Sequence, residues 1–518
     1  MMKQSHLMAV NTFVIWGTTL LRMIPPLIMV PFLIRNIGES GYGEYALLWS
    51  LLMAIEQLEI SLQSGSIKYG AACIAENRIG DLNKLLSSTF AYSILLAVLS
   101  CLAVIVLSLA NSNATEGMKI SLQIVGLMML FLVPTTPFIG IIKAKQRFFI
   151  DSLAGILAQY AGLVFIVLWF RIFQPSVEAV IAISVGTLLL SRLTQLPIAY
   201  KLIPGLQNRL KHFDWKIFRL VVGFGIMIVL SALCNVANTT GIRWLSGMLV
   251  STTFVAHLAI FLMPGVFLAS IVQAMTITVM PAASGYQATQ NSSMLKELFL
   301  KSTRYTVLLV SGGLLASILL MRSILNIWVG PQYEFLYVYA LINLSGISVL
   351  LSASSAHHML KGFGALRQIL FAYALGLAVI PILIFLMIFS IWKSPYIAIS
   401  AGLFLGNVLA GVVQIRFCSK AVRMNLRQFL RRAFIEPIVP AVLSLALALG
   451  TIALTGLRGF KGSFAVTILS IIIFFSSFYF FIASKKEREQ LKGLLQMIWS
   501  KSAVFVRRVI PSAVRPDV

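Results

Sequence analysis

The chain has 518 residues, of which 59% are hydrophobic and only 11% charged. Composition this apolar over such a length excludes a water-soluble globular protein and fits a polytopic helical membrane protein. A net charge of +25 would by itself suit a nucleic-acid binder, but the placement of the basic residues argues for membrane topology and no nucleic-acid partner.

Residues 10–70 set the pattern. An apolar run to Ile34 is followed by a turn, Ile34 to Tyr45, and a second apolar run to Ser64. Each run is long enough to cross ~30 Å of hydrocarbon at ~1.5 Å per helical residue. Gly38, Gly41 and Gly43 free the backbone of the turn, and Tyr42, Tyr45 and Trp49 suit the interface. Arg22 lies mid-way along the first run, with Pro25, Pro26 and Pro31 after it, and Glu56 and Glu59 lie one turn apart in the second. Charges at such depth are costly unless they face protein or water. This hairpin therefore lines an interior, and an interior holding ions points to a transport path.

Fourteen spans are expected: 10–34, 42–64, 86–110, 120–142, 151–173, 178–199, 217–245, 252–282, 305–323, 335–360, 368–391, 395–417, 437–456 and 462–484. An even number puts both termini on one side. With Arg192, Arg219 and Arg416 grouped with their nearest loops, that side carries 32 Lys and Arg, the other 8, and Arg22 is within the membrane. The positive-inside rule then makes both termini cytoplasmic. The first helix is too long for a cleavable signal and serves as its own insertion signal. Loops on the outer side are too short to fold as domains. Of the inner ones, residues 418–434 put Val422, Leu426, Phe429 and Leu430 on one face, with Arg423, Arg427, Arg431 and Arg432 around it. That suits a helix lying on an anionic leaflet, and the basic tail, 485–518, has a similar pattern.

A diverged internal repeat is visible. Ile34-Arg35 with Gly38 recurs as Ile242-Arg243 with Gly247, and Lys143 recurs as Lys361, offsets of 208 and 218. The expected architecture is all-α, with two pseudo-symmetric six-helix lobes (1–205 and 206–417) around a central cavity. A linker (418–436), two further helices (437–484) and the tail follow. A six-helix repeat keeps its orientation, so the axis runs along the membrane normal. Cys73, Cys101, Cys234 and Cys418 have no ligand-like spacing, so neither a metal nor a disulfide framework is expected, and no cofactor is implied. Without a Gly-Lys-Ser/Thr phosphate loop, ATP-driven pumping would need a partner.

The stretch LIRNIGESGYGEYALLWSLL (33–52), the acidic second helix and LQSGSIKYGAACIAENR (62–78) resemble the polysaccharide-export branch of the multidrug/oligosaccharidyl-lipid/polysaccharide superfamily, the Wzx-type flippases above all. The resemblance implies movement of undecaprenyl-diphosphate-linked oligosaccharide units between leaflets of the bacterial inner membrane, with a polysaccharide polymerase and a chain-length regulator as partners. It also implies a V-shaped, two-lobed fold. In the related lipid II flippases a first-helix arginine holds the diphosphate, and Arg22 stands at the corresponding place. A guanidinium fork matches phosphate oxygens; the structural alternative is an ion pair with Glu56. Glu56 and Glu59 are candidate proton-coupling carboxylates, or counter-ions to Arg22 and Lys68. Asn235 and Asn238 on the seventh helix, with Gln273 on the eighth, are candidate sugar contacts, or ordinary polar contacts between helices. His257 is a candidate coupling group, or an interfacial histidine. A related MATE-type cation or drug antiporter is the alternative function; a membrane glycosyltransferase or polymerase lacks outer loops that could hold a sugar donor.

Overall fold

The computed structural model describes residues 2–110, 115–145, 147–276, 278–388, 394–455, 460–483 and 487–489. Most of the basic tail lies outside the described residues. Among the described residues all regular structure is helical. Eleven helices are long and apolar enough to cross a membrane.

The first of these, α1 (Met2–Ala75), is broken at Gly38, whose φ of 74° and ψ of 174° lie where a side chain is disfavoured. Its contacts show that it folds back on itself. Helices α2 (Ile79–Ala110), α3 (Glu116–Leu132), α4 (Thr136–Ala144), α5 (Phe148–Ile172) and α6 (Val177–Leu202) complete the first lobe. Arg22 reaches Ser152 near the start of α5, and Phe32 stacks on Phe170 near its end. The first leg thus runs alongside α5 in the same direction. On the second leg Glu44 meets Thr115, just ahead of α3, while Gly70 packs on Ala144, where α4 ends. The two legs are therefore antiparallel spans, with Gly38 at one face of the bundle, here the turn face. The α4–α5 connection lies at the opposite, basic face.

The second lobe begins with α7 (Trp215–Val236), which continues through a π turn, Ala237–Gly241, into α8 (Ile242–Leu249). It goes on through α9 (Thr252–Thr276), α10 (Val279–Ala288), α11 (Ser292–Trp328), α12 (Leu336–Ser352), α13 (Ser354–Gly362), α14 (Leu366–Ile388) and α15 (Pro395–Ala421). Counting the folded α1 as two, and adding α7–α8 and α14 to the eleven, gives the expected fourteen. The fourth span of each lobe is interrupted at matching places: α3 passes to α4 through a 3-10 turn at Val133–Thr135, and α12 to α13 at Ala353. Lys143 and Lys361 follow these breaks at the same spacing, as a duplication along the membrane normal requires.

After a short α16 (Leu426–Leu430), helices α17 (Glu436–Thr455) and α18 (Phe460–Ser477) pack on α11, where Phe474 and Phe478 are fully buried. Arg304 of α11 fastens them: it pairs with Glu436 (3.3 Å) and Glu487 (3.2 Å) and donates to the Ile482 carbonyl (3.1 Å). The linker differs from the single apolar face expected of residues 418–434. Val422 and Phe429 are buried in the protein, Phe429 stacking on Phe299 at 4.2 Å, while Leu426 and Leu430 are exposed beside the four arginines. The chain leaves the helix between Ala421 and Leu426, with Arg423 at a φ of 52°, so Val422 does not share one helical stripe with Leu426, Phe429 and Leu430.

The outward face of α2 from Ile94 onward and that of α17 carry bands of exposed apolar residues, including Leu95, Leu99, Leu102 and Leu109, and Val442, Leu443 and Leu447. Such bands require hydrocarbon as solvent. Cysteines placed at Gln332 and Lys461 should react with an impermeant thiol reagent from one side of the membrane. Cysteines at Lys201, Lys296 and Arg427 should react only from the other. Labelling of Lys461 together with Lys201 would contradict the fourteen-span arrangement.

Candidate functional site

Six charged residues of the first lobe gather toward the basic face. On the second leg of α1, Glu56 and Glu59 point to one side because three residues make nearly a full turn. Opposite them stands Arg192 of α6, whose fork takes both: Nη2 lies 2.8 Å from Glu56 Oε1 and Nη1 2.6 Å from Glu59 Oε2. Thr136, at the start of α4, donates to the same Glu59 oxygen at 2.7 Å. This corrects the grouping of Arg192 with a loop: it is buried within the bundle. It also supplies the ion pair that the sequence suggested between Arg22 and Glu56; Glu56's arginine is Arg192.

A second node adjoins the first. Lys143 of α4 lies 2.7 Å from Asp151 of α5 and donates to Gln63 of α1 at 3.1 Å. Gln195, one turn beyond Arg192, reaches Asp151 at 3.5 Å. Arg22 donates from Nη2 to the Ser152 carbonyl at 3.2 Å, and its Nε is buried without a hydrogen-bond partner. Since Ser152 is near the start of α5, Arg22 sits toward the basic face and not at the bilayer centre as its position in the run suggested. Both Arg22 and Arg192 act electrostatically on Asp151. Three cations (Arg22, Lys143, Arg192) thus meet three carboxylates (Glu56, Glu59, Asp151), and the group is neutral as a whole. Partial burial makes that balance favourable, because an unpaired charge there would lose much of its solvation without compensation.

The other predicted residues lie apart from this group. His257 of α9 belongs to the turn face, where Nδ1 is 2.6 Å from the Tyr396 hydroxyl and Nε2 3.4 Å from Glu39. Tyr333 donates to the other Glu39 oxygen at 2.7 Å. Glu39 comes from the first lobe and its three neighbours from the second, so this node joins the lobes. Two more bonds support it: Ser40 to Thr252 at 2.7 Å, and the Trp328 indole to the Leu27 carbonyl at 2.7 Å. The backbones also meet closely here; a Cβ on Gly43 would overlap the Thr252 carbonyl. Asn238 is half-buried in the π turn after α7, and Gln273 is exposed on α9. Asn235 lies on α7, but its side chain is outside the described residues. The structure thus brings Glu56, Glu59 and Arg22 into one neighbourhood and leaves Asn238, Gln273 and His257 elsewhere.

Sequence reasoning missed Arg192, Asp151, Lys143 and Gln195 as members of the group. Arg192 alone left a signal: it stands seven residues inside the expected 178–199 span, deeper than a snorkelling end residue needs to be. Among the described residues no cluster of His, Cys, Asp and Glu is arranged to hold a metal.

No family model and no curated protein matches the sequence. The fold, however, is found among solved structures. The lipid II flippase MurJ in an inward closed conformation superposes with a TM-score of 0.66, over 91% of this chain and 99% of that one, at 14% identity. An inward-facing multidrug resistance MATE transporter superposes with a TM-score of 0.61, over 80% of this chain and 98% of that one, at 14% identity. A superfamily transporter from Pyrococcus furiosus gives 0.55 over 80% of this chain and 94% of that one, at 14% identity. The chain therefore has the polytopic helical fold shared by MATE transporters and MurJ.

Arg192→Leu should sharply reduce the amount of folded protein, because it leaves Glu59 buried without its cation, a defect worth about 3–5 kcal/mol. Adding Glu56→Gln and Glu59→Gln should restore much of that loss. Thermal melting of the purified proteins and their abundance in membranes check both statements. An unchanged melting temperature in the single variant would show that the fork contributes nothing to stability.

Proposed function

We propose that the protein is a flippase carrying undecaprenyl-diphosphate-linked oligosaccharide units from the cytoplasmic to the periplasmic leaflet of a bacterial inner membrane, for assembly of a surface polysaccharide. The observation that carries this reading is the extent of the fold match. MurJ covers 91% of the chain, whereas the MATE transporters compared cover about 80%. The fourteen spans, with α17 and α18 docked on α11, favour the lipid-carrying branch over an antiporter.

In this reading Arg22 contacts the diphosphate. Its Nη2 is spent on a backbone carbonyl, and the buried Nε still has a hydrogen to donate. A phosphate oxygen would satisfy it with a charge-assisted bond. Asn235, Asn238 and Gln273 are assigned to sugar hydroxyls, and Glu56, Glu59 and His257 to ion coupling. Transport proceeds by alternating access, in which the two lobes part at the turn face as they close at the basic face. Since Glu39 joins the lobes to His257 and Tyr333, this node opens in every cycle. Both termini are cytoplasmic, a polymerase and chain-length regulator take the delivered units, and no catalysis is required of the chain itself.

Arg22→Ala should abolish surface polymer while membrane-inserted protein stays near normal, because Glu56 keeps Arg192 and no carboxylate loses its closest cation. Arg22→Lys should retain part of the export, since charge survives without the fork. Polymer at the cell surface, normalised to inserted protein, is the measurement. Full export by Arg22→Ala would remove the proposed diphosphate contact, and export of cationic dyes in place of polymer would favour the antiporter.

A further inference from the structure

Two carboxylates share Arg192, but they are held very differently. Glu59 is buried, its side chain only 6% exposed, and its Oε2 accepts from both Arg192 and Thr136. Glu56 has 34% of its side-chain surface open, and Arg192 Nη2 at 2.8 Å is its only hydrogen-bond donor among the described contacts. One partner is locked and the other is loosely seated at the open edge of the same guanidinium.

From this asymmetry we infer that Glu56 is an exchangeable counter-ion: an incoming diphosphate displaces it from the Nη2 edge of Arg192, and the displaced carboxylate takes up a proton. The inference rests on the diphosphate reading above and adds to it the route by which substrate and proton are linked. Arg192 in the empty protein is already occupied by the protein's own anion. A diphosphate oxygen offers the same acceptor chemistry with greater charge, and Arg22 stands ready as a second cation. Arg22 meets α5 at Ser152, and Gln195, one turn beyond Arg192, meets it at the adjoining Asp151, so both arginines border the first turn of α5.

The proton follows from charge balance. The empty group holds three cations and three carboxylates, and adding a diphosphate leaves it with excess negative charge. The charged groups facing Glu56 are Arg192 from α6, Glu59 from its own helix and Asp151 from α5. Asp151 is itself held by Lys143 of α4, and Glu59 by Arg192 and Thr136. Once Arg192 turns to the ligand, Glu56 is the carboxylate left without a donor, beside two others of like charge. Its ionised form is then disfavoured by both desolvation and repulsion. No bond other than hydrogen bonds is made or broken: the proton comes from solvent to a Glu56 oxygen and returns when the ligand leaves.

The experiment is calorimetric titration of the full-length protein in detergent with farnesyl diphosphate, in buffers of different ionisation enthalpy and at several pH values. The wild-type protein should take up close to one proton per ligand bound by Glu56 and bind more tightly as pH falls. Glu56→Gln keeps the side-chain shape but gives up the competing charge, so it should bind about tenfold more tightly and take up one proton fewer. The ligand's own ionisation is common to both proteins and cancels in the comparison. Glu56→Gln binding with wild-type affinity and wild-type proton uptake would overturn the exchange. Melting curves establish that the variant is folded; the pH dependence of wild-type binding is a second test, because protonation of the ligand alone would weaken binding as pH falls, and such weakening would count against the exchange. Failure of the wild-type protein to bind, or binding indifferent to Arg22→Ala, would instead count against the diphosphate reading and take the inference with it.

Discussion

A guanidinium inside a membrane has to be answered by carboxylates, and the fork of Arg192 onto Glu56 and Glu59 is where this fold meets that demand. Neither partner could face lipid alone without a cost of several kcal/mol. Together they bind the second leg of α1 to α6, and Thr136 brings in the break between α3 and α4. The fold-back at Gly38 then becomes necessary: it returns α1 across the bundle at the register where Glu56 and Glu59 meet their cation. Arg22, Lys143 and Asp151 extend the same bargain to the neighbouring helices.

The two lobes share their architecture but not this chemistry. Lys361 and Gln414 in the second lobe stand in the places of Lys143 and Gln195 in the first, yet the chain carries no Asp or Glu between Glu334 and Glu436. In place of carboxylates, α13 to α15 set His357 beside Tyr373 and the fully buried Gln414. Duplication preserved the helix breaks, which are a backbone property, while the ionic partners diverged as a set. A cation of the first-lobe kind without its carboxylates would be an unpaired charge, so such groups are gained or lost together. The result is a molecule whose ionic group belongs to one lobe. Its inter-lobe bonds at the turn face are aromatic and hydroxyl in character, except for Glu39 and His257. Contacts of that kind can be remade without stranding a charge in hydrocarbon.

The attachment of α17 and α18 repeats the logic at smaller scale. Arg304 is buried on α11, and Glu436 at the start of the added hairpin and Glu487 just after its end neutralise it. The additional helices are thereby tied to the second lobe by charge as well as by the packing of Phe474 and Phe478.

Sequence alone determined the class of fold, the fourteen spans, the repeat and the fact that Arg22, Glu56 and Glu59 face an interior. All of these depend on local properties: hydropathy over one span, helical spacing, and the expense of a charge in lipid. What it did not determine was pairing. Glu59 and Arg192 are 133 residues apart, and the depth of Arg192 in its span marks it as buried without saying which carboxylate it meets, so Arg22 stood as the nearer partner for Glu56. The depth of Arg22, the division of the linker's apolar stripe between protein and solvent, and the union of Glu39 with His257 were equally hidden. Each depends on which helices become neighbours and in what register. That is decided by packing, by the turn at Gly38 and by the requirement that every buried charge find its opposite, and only the assembled bundle supplies those neighbours.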